Sequence, residues 1–147
     1  MTAQEVSEIF EDKNIKSKTD LLVEVGLDYL EIGQTLDTLS GGESQRLKLA
    51  SKLQNIGEFI ILDEPTSGLH FKDIEKLMKL LNRLIDNGNS VLVVEHNLDV
   101  IAQANWVIDL GPEGGEGGGK VIAQGRPKEV SLVNNSYTGR YLQSYLK

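Results

Sequence analysis

The chain has 147 residues, 39% of them hydrophobic and 25% charged, so we expect a folded domain, or part of one, rather than a disordered chain. A net charge of −7 argues against a surface that grips a nucleic-acid backbone or an anionic membrane. The absence of cysteine excludes disulfides, thiolate catalysis and cysteine-based zinc sites, and two histidines leave little for a histidine-rich metal centre, so a bound metal would be a hard cation held by oxygen.

The first twenty residues lack the apolar core of a signal peptide. No apolar run approaches the roughly 20 residues that a membrane span needs. The sequence therefore predicts a cytoplasmic protein with no membrane partner.

Three helices are predicted in the first third of the chain. Thr2 and Glu5 have the spacing of a capping box for the first, Gly26 ends the second, and Ser40 begins the third. The apolar positions expected to face the core are Val6, Ile9 and Phe10, then Leu21, Leu22 and Val25, then Leu47, Ala50 and Leu53.

Two continuous apolar runs, 59–62 and 91–94, are typical of parallel strands covered on both faces. Between them, a long amphipathic pattern predicts a helix that Asn87 and Gly88 end. Further along come a short helix through Leu98 and Ile101, a strand over 106–110, a glycine-rich loop over 111–119, a strand over 121–123, and a helix with Tyr137, Tyr141, Leu142 and Tyr145. The alternation predicts an α/β fold, a mainly parallel sheet with flanking helices.

Both apolar runs end in acids, where parallel sheets gather their chemistry. Asp63 is the metal candidate, because a carboxylate there can meet Mg²⁺ or its waters, and Glu64 is the candidate base for an attacking water. The alternative is a helix-entry turn with solvated acids.

The octet LSGGESQR at 39–46 lies about twenty residues upstream. Ser40 and Glu43 have the spacing of a capping box, so a capped helix without a ligand is one interpretation. Gly41 and Gly42 leave the backbone N–H groups of the helix N-terminus unshielded beside a serine hydroxyl, which favours a phosphate site.

The order of four motifs resembles that of the ABC-type ATPases. They are the signature at 39–46, Walker B with its glutamate at 61–65, the D-loop at 67–70 and the switch histidine at 94–96. Within that superfamily nearly the whole chain is similar to the UvrA family, the damage-recognising ATPases of bacterial nucleotide excision repair. Asn97 and the 114–119 loop resemble the second, C-terminal module of those proteins.

The resemblance implies ATP and Mg²⁺ as ligands, with Asp63 holding Mg²⁺ through water, Glu64 activating water and His96 sensing the γ-phosphate. Ser40, Gly41, Gly42, Glu43, Gln45 and Gly68 are implied nucleotide-binding residues, the signature serving the nucleotide on the opposite module. A structural surface role is the alternative for His96. The implied partners are the rest of the UvrA-type chain, its dimer mate, and excision-repair proteins and DNA through the parent.

The sequence also departs from the pattern of the ABC-type ATPases, and these differences predict an incomplete P-loop NTPase module that lacks its Walker A half. Nothing upstream of Leu39 contains a Gly-Lys pair, and no zinc-binding cysteine pairs are present. The stretch 114–120 fits G-x-x-x-x-G-K, but Val121 stands where serine or threonine must bind Mg²⁺, so we interpret it as a false match. The connection over 52–58 also looks short for the repair subunit, which leaves room for a paralogue.

We therefore expect one structural unit with a helical lead-in over 1–38 and the C-terminal half of a module over 39–147. The parent would hydrolyse ATP in damage recognition, and the isolated chain would be inactive. The alternatives are a non-catalytic dimerisation or regulatory module and, because Gly68-Leu69-His70 departs from the usual transporter pattern, less favourably the ATP-binding domain of a transporter.

Overall fold

The computed structural model describes residues 1–112 and 118–146. The helices within them are α1 (Ala3–Ile9), α2 (Lys13–Glu24), α3 (Gly41–Lys52), α4 (Phe71–Asp86), α5 (Leu98–Ile101), α6 (Pro127–Val130) and α7 (Tyr137–Tyr145). The strands are β1 (Phe59–Asp63), β2 (Ser90–Val94), β3 (Val107–Gly111) and β4 (Lys120–Gly125). A 3-10 turn over Leu36–Thr38 precedes α3.

The chain divides into two compact units, Met1–Val94 and Glu95–Lys147. The boundary between these units is defined by contacts between residues and not by the sequence motifs. The sequence-based division into a lead-in over 1–38 and a module half over 39–147 stays a prediction.

The predicted caps of the N-terminal helices are present. Thr2 and Glu5 form a capping box on α1, and Asp12 accepts hydrogen bonds from the first turn of α2. Gly26 follows α2 with a φ of +72°, the left-handed conformation that glycine adopts without a steric penalty. The predicted apolar face of α1 is wrong in part, because Val6 is buried while Ile9 and Phe10 are exposed.

The core of the first unit lies between α3, α4 and the lead-in helices. The six buried residues of α4 are Ile74, Leu77, Met78, Leu80, Leu81 and Leu84. The buried face of α3 differs from the predicted one, because Arg46 and Leu49 are buried with Ala50 while Leu47 is only half-buried. That face follows the i, i+3, i+4 spacing of a helix but begins at a charged residue.

β1 and β2 pair in parallel, from Phe59 opposite Ser90 to Asp63 opposite Val94. The prediction that both faces of this pair are covered is wrong for this chain. One face carries a stripe of exposed apolar side chains, which are Phe59 (65% exposed), Ile61 (63%), Leu92 (44%) and Val94 (53%). We call these four residues the apolar sheet face.

We expect the isolated chain to self-associate through the apolar sheet face or the unpaired strand edges beside it, because both lower their free energy when covered. Light scattering over a range of micromolar concentrations should give a mass that rises with concentration. Ile61→Glu should reduce that rise, whereas Ile56→Glu, at an exposed position outside the sheet, should leave it unchanged. A monomer at every concentration would contradict the prediction.

The second unit contains one strand pair, β3 with β4, which is antiparallel, whereas the pair in the first unit is parallel. Its core consists of Ala123, Val130 and Leu142. The Asp109 carboxylate on β3 accepts hydrogen bonds from Ser136 Oγ (2.6 Å) and Thr138 Oγ1 (2.7 Å), which ties the start of α7 to the strand. The predicted last helix is α7, in which Leu142 is buried and the three tyrosines are exposed.

The predicted glycine-rich loop and the false Walker A match fall largely on residues 113–117, outside the described residues. Within the described ranges, none of the helices is both long and apolar enough to cross a membrane.

Candidate functional site

The signature octet forms the N-terminus of α3, as predicted. Ser40 is the N-cap, and its Oγ accepts a hydrogen bond from the backbone N–H of Glu43 at 3.3 Å. A serine hydroxyl that accepts through oxygen still has its own proton to donate. The capping box is therefore present, and it leaves Ser40 chemically able to bind a phosphate oxygen.

Glu43 is held on two sides. One carboxylate oxygen accepts from the backbone N–H of Ser40 at 2.7 Å, and the other accepts from the hydroxyl of Tyr29. The Tyr29 hydrogen bond, followed by the Ser40 N–H, lowers the pKa of Glu43 below its ordinary value. Burial, reinforced by the hydrogen bond to Glu43, raises the pKa of Tyr29 to about 12. Glu43 is therefore ionised, and it fixes the entry to α3.

The two signature glycines differ in their surroundings. A Cβ atom added at Gly41 would meet nothing within 4 Å, so this backbone is open to a ligand. A Cβ atom at Gly42 would lie 2.5 Å from Cδ2 of Leu69, so this position brings the first turn of α3 against the D-loop segment, residues 67–70. Gln45 lies half-buried within the same helix.

Asp63 ends β1, and Glu64 starts the turn that leaves it. Both residues are exposed. The backbone N–H of Glu64 donates to the carbonyl of Val94 at 2.9 Å, which extends the parallel pairing by one residue. Glu64 has a φ of +43°, and among the described residues other than glycine it alone has a positive φ. Such conformations cost free energy and concentrate at functional sites, so this turn supports a special role for Glu64.

The D-loop segment follows directly. Gly68 has a φ of +73°, which favours glycine for conformational reasons alone. The backbone N–H of Leu69 donates to the carbonyl of Thr66 at 3.0 Å and closes the turn. His70 then caps α4.

His96 belongs to the second unit and is exposed, two residues after β2 ends. The carboxylate of Glu95 accepts hydrogen bonds from the backbone N–H groups of His96 (2.9 Å) and Asn97 (3.0 Å). The Asn97 side chain in turn caps α5. The segment after β2 is thus fixed by local hydrogen bonds.

The first unit therefore brings the signature turn and the D-loop segment into contact, and joins the D-loop segment through the chain to Asp63 and Glu64. No group of three or more acidic, histidine or cysteine side chains suited to a metal ion occurs in the part of the chain that the structure describes. An exposed Asp63 fits a Mg²⁺ ion held through water, with the remaining oxygen ligands supplied by a nucleotide.

Sequence reasoning missed Arg46 as a residue with a structural role. Its Nη1 lies 3.1 Å from Oδ1 of Asp73 in the first turn of α4. The signal was present in the helical spacing from Arg46 through Leu49 and Ala50 to Leu53, four residues that are all buried.

Comparison with known proteins gives consistent matches. The family model described as ABC transporter matches residues 2–67. UvrABC system protein A from Staphylococcus aureus (strain COL) is 53% identical, and that from Aquifex aeolicus 54% identical, each over 100% of this chain. The chain spans only 16% of the length of these curated relatives.

Solved structures agree. UvrA2 from Deinococcus radiodurans superposes with a TM-score of 0.92 at 46% identity, covering 100% of this chain and 19% of the UvrA2 chain. A chain of the complex between an archaeal ribosomal stalk protein and the archaeal ribosome recycling factor has a TM-score of 0.52 at 28% identity, covering 80% of this chain and 22% of its own. The chain is therefore similar over its whole length to part of UvrABC system protein A, and it has the fold of the ABC ATPases.

Proposed function

We propose that the chain is the C-terminal part of the second ATPase module of a UvrA-type protein, and that the longer protein hydrolyses ATP during damage recognition in nucleotide excision repair. The likeness to UvrABC system protein A over the whole of this chain carries the proposal. The order of the four motifs and the left-handed turn at Glu64 support it.

Ser40, Gly41 and Gly42 would bind the γ-phosphate of the nucleotide held by the opposite module. The hydroxyl of Ser40 has a proton to donate, and the N-terminus of α3 presents backbone N–H groups and a positive dipole end. Glu43 would act indirectly, because its carboxylate is engaged with Tyr29 and Ser40. Gly68 would set the course of the D-loop through its positive φ.

Asp63 and Glu64 would serve the nucleotide of their own module. Asp63 would hold Mg²⁺ through water, and the ion would neutralise charge on the phosphate oxygens. Glu64 would accept a proton from a water molecule while the oxygen of that water forms a bond to the γ-phosphorus. The bond from that phosphorus to the β–γ bridging oxygen breaks, so the products are ADP and inorganic phosphate.

His96 would contact the γ-phosphate and so distinguish ATP from ADP. The rest of the longer chain and its dimer mate would be partners of this chain. DNA and the excision-repair proteins would be bound through other parts of the longer protein, and for DNA the net charge of −7 on this chain supports that. The cytoplasm is the compartment that this role requires.

Reading the gene upstream of the first codon tests the proposal. A continuous frame with G-x-x-x-x-G-K-[ST] and paired cysteines identifies a module fragment, and ATP hydrolysis by the encoded protein should change when damaged DNA is added. A frame that begins at Met1 would instead support the non-catalytic dimerisation or regulatory module. Hydrolysis that is insensitive to damaged DNA would contradict the repair role.

We expect the isolated chain to bind ATP·Mg²⁺ weakly, because the signature and Walker B groups hold only part of the nucleotide without the lysine and backbone nest of a Walker A loop. Calorimetry should show little heat under conditions in which the longer protein binds. A dissociation constant in the low micromolar range would contradict this expectation.

A further inference from the structure

An ion pair between a buried arginine and a half-buried aspartate links α3, which begins in the signature, to α4, which follows the D-loop segment. Arg46 is 4% exposed, and its Nη1 lies 3.1 Å from Oδ1 of Asp73. Its Nε is buried without a hydrogen-bond partner among the described residues. Burying a guanidinium with an unsatisfied N–H costs free energy, and an apolar side chain of similar volume often packs as stably. The pair therefore needs an explanation other than stability.

α3 makes a second contact one turn closer to its N-terminus, with the D-loop segment just before α4 begins. Gly42 approaches Leu69 so closely that a Cβ atom would lie 2.5 Å from the leucine side chain. Arg46 is four residues after Gly42, so both lie on one face of α3. Asp73 lies in the first turn of α4, four residues along the chain from Leu69. The contacts Gly42–Leu69 and Arg46–Asp73 are thus in register.

Two contacts in register fix both the separation and the relative rotation of two segments, whereas one contact leaves a pivot. A charged fork such as a guanidinium also specifies direction, which apolar packing does not. The first turn of α3 and the D-loop segment are therefore held as one body within the first unit.

We propose that Arg46 is a positioning residue whose ion pair with Asp73 fixes the signature turn, Ser40 to Gly42, to the D-loop segment and so links two nucleotide sites. The inference rests on the proposed function. There the signature serves the nucleotide on the opposite module, while Asp63 and Glu64, next to the D-loop segment, serve their own. Movement at one site is then transmitted to the other through the pair.

Hydrogen exchange on this chain tests the positioning without any nucleotide. Arg46→Met keeps an apolar side chain of similar length in the buried site. We expect exchange at the backbone amides of Ser44 and Leu69 to rise about tenfold, while amides of α7 are unchanged. Arg83→Met is the matched control, because Arg83 lies on α4, like Asp73, but pairs with Glu24 at the surface. Unchanged exchange at Ser44 and Leu69, or an equal rise in the control, would overturn the positioning role.

ATP hydrolysis by the longer protein tests the link between sites. Arg46→Met should lower kcat about tenfold with KM for ATP within about twofold, and should reduce the cooperativity of ATP dependence. Asp73→Asn should have the same effect, and the double variant should be no worse than either single one. Normal kcat and cooperativity in Arg46→Met would overturn the link. No hydrolysis by the unsubstituted longer protein would instead contradict the proposed function, while the exchange result would still decide the positioning.

Discussion

Glu64→Gln in the longer protein is expected to abolish most ATP turnover while leaving ATP binding intact. Glutamine keeps the length and shape of the side chain and accepts the left-handed conformation at φ +43° as readily as glutamate does. It cannot take a proton from water at neutral pH. Steady-state hydrolysis should therefore fall by about 10²-fold or more, with the affinity for ATP·Mg²⁺ nearly unchanged.

Glu75→Gln provides the matched control, because Glu75 is an exposed glutamate on α4. Its turnover should equal that of the unsubstituted protein. Equal turnover in Glu64→Gln would remove Glu64 from the role of base. A proportional loss of binding and turnover would assign Glu64 to nucleotide binding instead.

Helix boundaries were predictable from the sequence where the signal is local. The capping boxes at Thr2 and Ser40, and Gly26 after α2, depend on side chains and φ angles within one turn of the chain. The parallel pairing of β1 with β2 also agrees with the apolar runs that end in acids. For the same reason, the placement of Ser40 at a helix N-terminus and of Asp63 at a strand end could be predicted.

What the sequence could not show is which apolar residues this chain covers by itself. The run at 59–62 has the composition of a strand buried on both faces, yet Phe59 and Ile61 are exposed. The composition of a strand indicates that its faces should be buried, whereas their actual burial depends on which other segments pack against them. Because the chain spans 16% of its relatives' length, those segments need not be in this chain.

Polar contacts between residues far apart in the chain could not be predicted from the sequence either. The expected core face of α3 does not include Arg46. Charged residues are seldom buried, and the partner of Arg46 lies 27 positions away. Spacing along a helix identifies a face but does not identify the residue opposite. The contact between Gly42 and Leu69 has the same origin, since the glycine predicted as a phosphate ligand also makes room for a neighbouring segment.

Asn89 is a second buried polar residue that sequence reasoning passed over, between the end of α4 and β2. Its Oδ1 accepts from the backbone N–H of Glu58 at 2.9 Å. Its Nδ2 donates to the carbonyls of Asn55 (3.1 Å) and Leu84 (2.9 Å). One side chain thus joins the segment that leads into β1 to the end of α4, and it is 5% exposed.

Asn89→Ala should therefore destabilise the chain by about 3 kcal/mol. It leaves the backbone N–H of Glu58 and the carbonyl of Asn55 without their partner, and the carbonyl of Leu84 keeps only the backbone N–H of residue 89 as a donor. Urea unfolding at a concentration below the onset of self-association measures the loss. Asn87→Ala is the matched control: Asn87 is exposed and its Nδ2 makes one hydrogen bond, to the carbonyl of Leu53, so its loss should stay below about 1 kcal/mol. Equal effects of the two substitutions would mean that water enters the Asn89 site and replaces the amide. A much larger effect at Asn89 would show that one buried side chain outside the strands stabilises the junction at which β1 and β2 begin, and so the strand that carries Asp63 and Glu64.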